Sequence, residues 1–398
     1  MKYSVVTFGC RVNQADSIAL EGALRARGGV NVSPEDADLV IVNTCSVTAS
    51  ADQGARQTIR RIARSNPDVR VVVTGCYATR RPDELRALPS VVRIVSNTDK
   101  DDLADILDGS GDGPCGRTVE PGIAGRTALT LRVQTGCEEA CSYCIIPQTR
   151  GPARSLPPSL VIHRIHEAID AGYKEVVLTG VHLGSYGRDL DENASLAVLV
   201  RRLAEWDGNV LFRLSSLEPM DCTDQIVDTI ADSQRIAPHF HLPLQHGADR
   251  ILSTMRRPYT ASFFRRLVDR IHDAMPHAAI GSDLIVGFPG ETDDDFVATE
   301  SLLRDLPLSH IHVFPYSDRP GTAASAMSDK IDGVTIRDRG SRLRAIGREM
   351  STRFRRDQQG TTRRALTVDD GRSAVTDNYV KVQLDRAHPR NEWIDVTL

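Results

Sequence analysis

Three closely spaced cysteines give the strongest chemical signal in the sequence. Cys137, Cys141 and Cys144 form a C-x3-C-x2-C run directly after a predicted strand. In β/α barrels the active site lies on the loops at the C-terminal ends of the strands, which is where this run falls. Three thiolates can hold three irons of a 4Fe–4S cubane and leave the fourth iron open to a ligand. The run therefore predicts an open iron–sulfur site.

A second set of cysteines is dispersed through the first part of the chain. Cys10, Cys45 and Cys76 each stand two residues beyond the last residue of a predicted strand. Side chains just past neighbouring strands of a parallel sheet converge on one crevice, so we expect these three to hold a second open cluster. Cys115 and Cys222 lack such partners, and we interpret them as bystanders.

Other interpretations of these cysteines account for less of the pattern. Structural zinc takes four ligands, and the histidine nearest in sequence to the run, His163, lies in a predicted helix. Isolated buried thiols are common, but the repeated position after three strands argues against that here. Disulfides are rare in the cytoplasm. Electron transfer alone favours closed ligation by four cysteines, so two open sites indicate catalysis.

The elements that position the dispersed cysteines alternate between strand and helix. Such alternation predicts an α/β protein whose residues 1–108 form a flavodoxin-like parallel sheet. The predicted strands of this first domain are Tyr3–Phe8, Leu39–Asn43, Val69–Thr74 and Val91–Val95. A Gly- and Asp-rich linker without periodicity is predicted for residues 109–126.

Residues 127–336 repeat the alternation in longer units and predict a partial (β/α)6 barrel, with an open doubly wound sheet as the competing layout. Helical patterns separate the strands, for example over Ser159–Ala171, Ser195–Glu205 and Asp293–Leu306. On one strand, His239 and His241 alternate and share a face, most simply as a core pair. The six predicted strands are Leu129–Gln134, Glu175–Thr179, Val210–Leu214, His239–Leu242, Ile280–Val286 and His310–Phe314.

The C-terminal part is basic and then turns to period-two patterning. Residues 337–356 carry one apolar stripe and predict a basic amphipathic helix, and residues 357–398 predict a small β module. Residues 337–364 hold ten arginines against three acids, in a chain of 398 residues whose net charge is −4. This local excess favours contact with phosphates over a merely solvated helix face.

Composition supports an ordered globular protein, with 40% hydrophobic and 26% charged residues. The sequence has no apolar run near the ~18 residues of a membrane span, and its N-terminus is too short and mixed for a signal peptide. We therefore expect a soluble cytoplasmic protein with no membrane partner.

The cysteine pattern and its surroundings resemble the radical S-adenosylmethionine (radical SAM) methylthiotransferases. The C-x3-C-x2-C run is similar to the radical SAM motif, and six cysteines in this order are typical of the family. Resemblance to the MtaB branch is greatest, through Gly9-Cys10-Arg11-Val12-Asn13-Gln14 and His312-Val313-Phe314-Pro315-Tyr316-Ser317. Further matching stretches are Asn43-Thr44-Cys45, Thr74-Gly75-Cys76-Tyr77-Ala78, Cys144-Ile145-Ile146-Pro147, Leu178-Thr179-Gly180-Val181 and Gly287-Phe288-Pro289-Gly290-Glu291-Thr292.

The resemblance implies a radical reaction on tRNA. It implies two 4Fe–4S clusters, S-adenosylmethionine that binds the open iron of the C-x3-C-x2-C site and yields a 5′-deoxyadenosyl radical, and an external electron donor such as flavodoxin or ferredoxin. The expected product carries a methylthio group on C2 of N6-threonylcarbamoyladenosine beside the anticodon; the sequence does not identify the sulfur source. Alternatives are the N6-isopentenyladenosine substrate of the MiaB branch, a ribosomal-protein aspartate, and a non-catalytic iron–sulfur redox sensor.

The family pattern also suggests contacts with S-adenosylmethionine near the strand ends. The candidate residues are Thr179, Gly180, Arg213, Ser215, Ser216, Glu218 and Gly287. The sequence departs from the family at Gln245-His246-Gly247, where Gln-Ser-Gly is usual, and at Arg154-Ser155-Leu156, where Arg-Ser-Arg is expected. The last module resembles a TRAM domain but is shorter than usual.

Overall fold

A computed structural model describes residues 1–108, 120–122, 127–191 and 193–398. Most of the predicted linker, including Cys115, lies outside the described residues. The described chain contains a parallel sheet, a curved arrangement of six parallel strands and an antiparallel module, which confirms the predicted α/β class. No helix in the described ranges is long and apolar enough to cross a membrane.

The N-terminal sheet is parallel throughout and has the strand order β2-β1-β3-β4-β5. This order is that of flavodoxin-like folds, as predicted. Apolar residues fill β3 and β4, which are buried on both faces because helices cover them. The elements are β1 (Lys2–Thr7), α1 (Arg11–Ala26), β2 (Val30–Asn31), β3 (Leu39–Thr44), α2 (Ala49–Ser65), β4 (Arg70–Gly75), α3 (Cys76–Arg80), α4 (Pro82–Arg86), β5 (Val91–Ile94) and α5 (Leu103–Asp108).

The second part begins with a short hairpin and the first barrel strand. Its β7 and β8 pair antiparallel around the segment that carries the clustered cysteines. The elements here are β6 (Leu129–Arg132), β7 (Gln134–Thr135), α6 (Ile146–Arg150), β8 (Arg154–Ser155), α7 (Pro158–Asp170), β9 (Glu175–Thr179), α8 (Leu196–Ala204) and β10 (Leu211–Leu214).

The remaining barrel strands complete a six-stranded partial barrel. Strand order is β6-β9-β10 and then β11-β12-β13, and parallel bridges from Phe212 to Ile236 and from Ser216 to His241 join the two groups. The barrel prediction is therefore confirmed over the open-sheet alternative. The elements are α9 (Asp224–Ala231), β11 (His239–His241), α10 (Asp249–Thr254), α11 (Ala261–Ala274), β12 (Ala279–Val286), α12 (Asp293–Asp305) and β13 (His310–Pro315), with 3-10 turns at Leu183–Ser185, Pro219–Asp221 and Ala323–Ala326.

Alternation along the strands decides which side chains face the barrel interior. Val176, Leu178, Phe212 and Phe240 belong to the apolar core beneath the outer helices. Their neighbours on each strand point to the opposite face. The interior face consequently carries polar residues, among them Thr179, Arg213, His239 and His241.

A long helix links the barrel to the C-terminal module. It is α13 (Gly333–Asp357), which begins four residues before the predicted start because Asp332 caps it by accepting hydrogen bonds from the backbone of Val334 and Thr335. Leu343, Ile346 and Met350 on its apolar stripe are buried in the barrel core. The module then forms an antiparallel sheet in the order β16-β15-β14-β17, from β14 (Thr362–Val368), β15 (Ser373–Thr376), β16 (Lys381–Gln383) and β17 (Trp393–Thr397).

A buried charge cluster joins the N-terminal domain to the barrel. Helix α1 lies against β6 and β9 and places Asp16 in their interface. The Asp16 carboxylate accepts from Lys100 at 2.8 Å, Arg132 at 2.5 Å and Arg150 at 3.0 Å. Burial by itself would raise the pKa of Asp16, but the three cations outweigh it and hold that pKa well below its ordinary value. The ionised carboxylate thus ties together three segments that surround the cysteines.

Candidate functional site

The clustered cysteines, Cys137, Cys141 and Cys144 (the barrel-loop cysteines), lie on the loop between β7 and α6. Gly136 precedes them with a φ of +75°, and a Cβ there would overlap the carbonyl of Pro152, so only glycine fits. On the other side, Ser142 fastens the loop to α10 by donating from its backbone nitrogen to Met255 and from its hydroxyl to Thr254. The loop is therefore held at both ends.

The barrel-loop cysteines occupy an environment suited to a bound metal. Burial, together with the neighbouring thiolates of Cys141 and Cys137, raises the pKa of Cys144 to about 12. Thiolates at such a site need compensating positive charge, which a cluster supplies when it binds. The donor set of three soft sulfur ligands fits an iron–sulfur cluster.

Two further side chains contact the barrel-loop sulfurs, and sequence reasoning missed both. Arg257 donates to the Cys141 sulfur at 3.0 Å and pairs with Glu218. His182 Nδ1 lies 3.9 Å from the Cys137 sulfur, while its Nε2 lies 2.7 Å from a carboxylate oxygen of Asp221. Groups of this kind orient cluster ligands and adjust their charge. Position alone could have suggested His182, because it directly follows the strand-end segment Thr179–Val181.

The dispersed cysteines, Cys10, Cys45 and Cys76 (the sheet-edge cysteines), lie beyond the carboxyl ends of the adjacent strands β1, β3 and β4. A Cβ on Gly9 would lie 2.6 Å from the Cys45 sulfur, so a glycine before Cys10 lets the two strand ends approach. Burial raises the pKa of Cys45 to about 12, with added contributions from Cys10 and Cys76. The charges of Cys10 and Cys76 thus act on the Cys45 thiol across the three strand ends, and ligation of one cluster by all three stays a prediction.

Contacts around the sheet-edge cysteines lead toward the barrel loop. Asn97 donates to the Cys76 sulfur at 3.5 Å and to the Thr149 carbonyl, in α6, at 2.9 Å. Arg150, from the same helix, is buried; burial lowers its pKa, but the charges of Asp16, Cys76 and Cys10 outweigh this and raise it. A guanidinium that stays charged beside these sulfurs compensates their negative charge. Helix α6 therefore contacts both cysteine environments.

One cavity of about 570 Å³ extends from the sheet-edge cysteine Cys10 into the barrel. Its wall includes Cys10 and Val47 from the N-terminal domain and Thr179 and Gly180 from the barrel. Four interior histidines of β11 and β13 also line it: His239, His241, His310 and His312. The volume is in the range of small-molecule and cofactor sites.

The residues expected to contact S-adenosylmethionine fall into two groups. Thr179, Gly180, Ser215 and Ser216 line the cavity. The other three contact other parts of the protein. The first of them is Arg213, whose guanidinium is fully buried and donates to Glu175 and to the Asp377 carbonyl.

Glu218 pairs with Arg257, so its contact with the cluster environment is indirect. Gly287 has a φ of +75°, and a Cβ there would overlap Ile336 of α13, which explains the glycine by packing. The unusual His246 is buried beside Glu291 at 3.5 Å. This departure from the family pattern therefore lies among packing residues rather than in the cavity wall.

The basic block is less uniformly exposed than its sequence suggests. Arg339 is buried and pairs with Asp293, and Arg342 and Arg363 pair with Glu300 and Asp377. Acids of α12 and of the module therefore neutralise part of the local arginine excess. Arginines that remain exposed along α13 include Arg337, Arg344 and Arg348.

Comparisons with known proteins agree with this architecture. The Radical SAM superfamily matches residues 131–303, and the Uncharacterized protein family UPF0004 matches residues 2–97. The structure of the radical S-adenosylmethionine methyltransferase TsrM from Kitasatospora setae covers 81% of this chain and 77% of its own, with a TM-score of 0.59 and 16% identity. That likeness concerns the fold.

Among curated relatives, the threonylcarbamoyladenosine tRNA methylthiotransferase MtaB of Bacillus subtilis is 35% identical over 94% of this chain and 88% of its own length. The tRNA-2-methylthio-N6-dimethylallyladenosine synthase of Paenarthrobacter aurescens is 31% identical over 94% of this chain and 76% of its own.

A partial barrel with three cysteines on the loop after its first strand defines a radical SAM enzyme. The cofactors of this class are a 4Fe–4S cluster and S-adenosylmethionine, and the sequence predicts both. Because the identity to curated relatives extends over almost the whole chain, the protein belongs to the radical SAM methylthiotransferase family.

Proposed function

We propose that this protein attaches a methylthio group to C2 of N6-threonylcarbamoyladenosine next to the anticodon of tRNA. The observation that carries the proposal is that one cavity includes a sheet-edge cysteine, Cys10, and the strand-end residues Thr179 and Gly180 beside the barrel loop. A reaction that breaks a C–H bond and forms a C–S bond needs a radical source and a sulfur source beside the same carbon. The barrel-loop cysteines would provide the site of the radical source, and the sheet-edge cysteines would provide the site of the sulfur source.

Each cysteine set would hold one 4Fe–4S cluster. A cluster held by the barrel-loop cysteines would supply the electron for cleavage of S-adenosylmethionine, and one held by the sheet-edge cysteines would supply the sulfur. The protein's own residues hold the reacting groups: Thr179, Gly180, Ser215 and Ser216 provide polar atoms and a close backbone approach in the cavity wall. Arg257 and Arg150 provide fixed positive charge beside the barrel-loop and sheet-edge sulfurs, respectively.

The reaction consumes two molecules of S-adenosylmethionine, one as methyl donor and one as the source of the radical. It also needs electrons, for which a flavodoxin or ferredoxin is the proposed donor. Exposed arginines on α13 support tRNA as the substrate, since its phosphates are the anions such a surface attracts. The relative from Bacillus subtilis, named for threonylcarbamoyladenosine, supports that nucleoside over the isopentenyl alternative.

Mass analysis of nucleosides from tRNA of a deletion strain tests the proposal. We expect the methylthio form of N6-threonylcarbamoyladenosine to disappear. N6-threonylcarbamoyladenosine without the methylthio group should accumulate. Loss of the isopentenyladenosine product instead would move the enzyme to the other branch. Unchanged tRNA would remove the proposed function.

Complementation of the same strain separates the two cysteine sets. Alanine at all three sheet-edge cysteines should abolish the methylthio product but leave the release of 5′-deoxyadenosine from S-adenosylmethionine intact. Cys222→Ala, a buried cysteine outside both sets, is the matched control and should complement fully. A redox sensor would release no 5′-deoxyadenosine in any variant.

A further inference from the structure

The barrel end of the cavity carries a group of polar side chains, while aliphatic residues such as Val47, Ile146 and Val181 make other parts of the wall apolar. Besides the four histidines, its wall contains Asp283, Ser215, Ser216, Ser309 and Asn378. An isopentenyl group in such a wall would remove water from these polar atoms without replacing their hydrogen bonds. This polar part of the wall instead suits a substituent that carries its own charged or polar atoms.

Most of these polar groups already have partners within the protein. His241 Nε2 and His312 Nδ1 both contact Asp283 Oδ1, at 3.0 Å and 3.1 Å, and His241 Nδ1 contacts the Ser216 hydroxyl at 2.9 Å. His310 Nδ1 contacts the Ser309 hydroxyl at 2.8 Å. These contacts form a rigid polar framework around the cavity.

Three polar atoms in the same region have no hydrogen-bond partner among the residues that the structure describes. They are Arg213 Nη2, Ser215 Oγ and His239 Nδ1, and their residues are 0%, 5% and 4% exposed. We name Arg213, Ser215 and His239 the unpaired set. Buried polar groups are almost always hydrogen-bonded. Ser215 and His239 line the cavity, and Arg213 lies behind Tyr379, which also lines it, so a ligand bound there would complete these groups.

A residue of the C-terminal module contacts two members of the unpaired set. The Tyr379 ring lies 4.9 Å from the Arg213 guanidinium and 4.6 Å from the His239 ring. Arg11 donates to the Tyr379 hydroxyl at 2.7 Å, and it directly follows Cys10 in the chain. The unpaired set is thereby connected to the cavity wall beside the sheet-edge cysteines.

The charge of the cavity wall favours an anion. Among the described residues that line it, the arginines are Arg11, Arg150 and Arg355, whereas the acid is Asp283. The Asp283 carboxylate is already shared by two histidines. A metal ion held by His241, Asp283 and His312 is the competing possibility, but it would add positive charge to a wall rich in arginine.

We propose that Arg213, Ser215 and His239 bind the carboxylate of the threonylcarbamoyl substituent and so select this substrate over apolar ones. This inference rests on the proposed function, because it names a carboxylate carried by the N6 group of the target adenosine. It gives the three residues a different role from the contact with S-adenosylmethionine that the sequence suggests for Arg213 and Ser215.

The test compares two RNA ligands on the reconstituted enzyme in the presence of S-adenosylmethionine. One is an anticodon stem-loop with N6-threonylcarbamoyladenosine, and the other carries the methyl ester of the same nucleoside, which keeps its shape and lacks the charge. The wild-type protein should bind the ester about tenfold to a hundredfold more weakly, as expected for the loss of charge-assisted hydrogen bonds.

The variants His239→Phe and Ser215→Ala should lower the affinity for the RNA with the free carboxylate and leave the affinity for the ester RNA nearly unchanged. The preference for the carboxylate RNA should therefore shrink. Phenylalanine retains a ring against Tyr379. Arg213 is not replaced, because that would leave Glu175 buried and unpaired. His166→Phe, on an exposed histidine that packs on Trp206 outside the barrel, is the matched control and should keep the full preference.

The outcomes separate this inference from the proposed function. A wild-type enzyme that modifies the acid RNA but binds acid and ester equally would overturn the inference alone. The same holds if both variants keep the full preference, or if they lose acid and ester binding in parallel. A stoichiometric non-iron metal that is lost on His312→Ala would instead support the metal site. Failure of the wild-type enzyme to modify the acid RNA would remove the proposed function.

Discussion

Replacement of Asp16 by asparagine should loosen the attachment of the N-terminal domain to the barrel. The Asp16 side chain is 1% exposed and faces Lys100, Arg132 and Arg150. Removing one member of a buried ion pair costs about 3–5 kcal/mol, because the partner charges stay buried without compensation. Here three cations lose their shared anion, so we expect at least the lower value, about 3 kcal/mol.

Asp101→Asn provides a control on the same arginine. Asp101 also contacts Arg132, at 2.8 Å, but its side chain is 63% exposed. Exposed ion pairs contribute about 0–1 kcal/mol, because water competes and the side chains lose entropy. The two variants remove the same charge from neighbouring positions around Arg132 and differ mainly in burial.

Hydrogen exchange followed by mass spectrometry measures the effect locally, on the anaerobic reconstituted protein. A loss of about 3 kcal/mol speeds exchange through local opening by roughly a hundredfold or more, whereas 1 kcal/mol speeds it by about fivefold. We expect the larger change in peptides from α1 and β6 of Asp16→Asn only. Equal changes in the two variants would refute the argument that burial makes Asp16 important.

The same reasoning predicts a pH effect. The folded pKa of Asp16 lies below its unfolded value, so its stabilising contribution is present above the unfolded pKa of about 3.9 and is lost as the pH falls. Acidification toward pH 3 should therefore lower the protection of α1 amides in the wild-type protein, measured as exchange relative to the intrinsic rate at each pH. It should do so less in Asp16→Asn, which has no carboxylate to protonate.

Three further predictions concern the clusters and the RNA surface. Anaerobically reconstituted protein should carry about eight irons, and alanine at the three barrel-loop cysteines should leave about four; four irons in the wild-type protein would remove the second cluster. Arg257→Gln should make the reduction potential of the barrel-loop cluster more negative by on the order of 50 mV, because it removes a positive donor from the Cys141 sulfur. Arg256→Gln, an exposed neighbour, should leave the potential unchanged in the same titration. Glutamine at Arg337, Arg344 and Arg348 should make the slope of log affinity for tRNA against log salt shallower by up to about two to three, whereas Arg342→Gln, already paired with Glu300, should change it little.

Regular patterns allowed much of the architecture to be predicted. Continuous apolar runs such as Val71–Val73 identify buried parallel strands, and the register of the sheet-edge cysteines after those strands follows from topology alone. The sequence pattern could not separate a barrel from an open sheet. That difference depends on the bridges that join β10 to β11, which are contacts between distant residues.

The parts that sequence reasoning missed depend on pairs brought together by folding. Arg257 contacts Cys141 across 116 residues, and no local motif marks either the distance or the partner. Arg339 belongs to a basic run but is buried, because α13 packs on the barrel and turns that side chain toward Asp293. A run of arginines in the sequence shows how many positive charges a segment carries. The acids of neighbouring elements determine which of those arginines stay without an ion-pair partner.

The cavity depends on all three parts of the chain. A six-stranded partial barrel leaves one side open, and α1 covers it next to β6. The C-terminal module contributes Tyr379, whose φ of +69° is unfavourable for a tyrosine. Its hydroxyl accepts from Arg11 and its ring contacts Arg213 and His239, and these contacts offset the unfavourable conformation. Because Arg11, His239 and Tyr379 come from separate parts of the chain, the site exists only when the N-terminal domain, the barrel and the short module are assembled together.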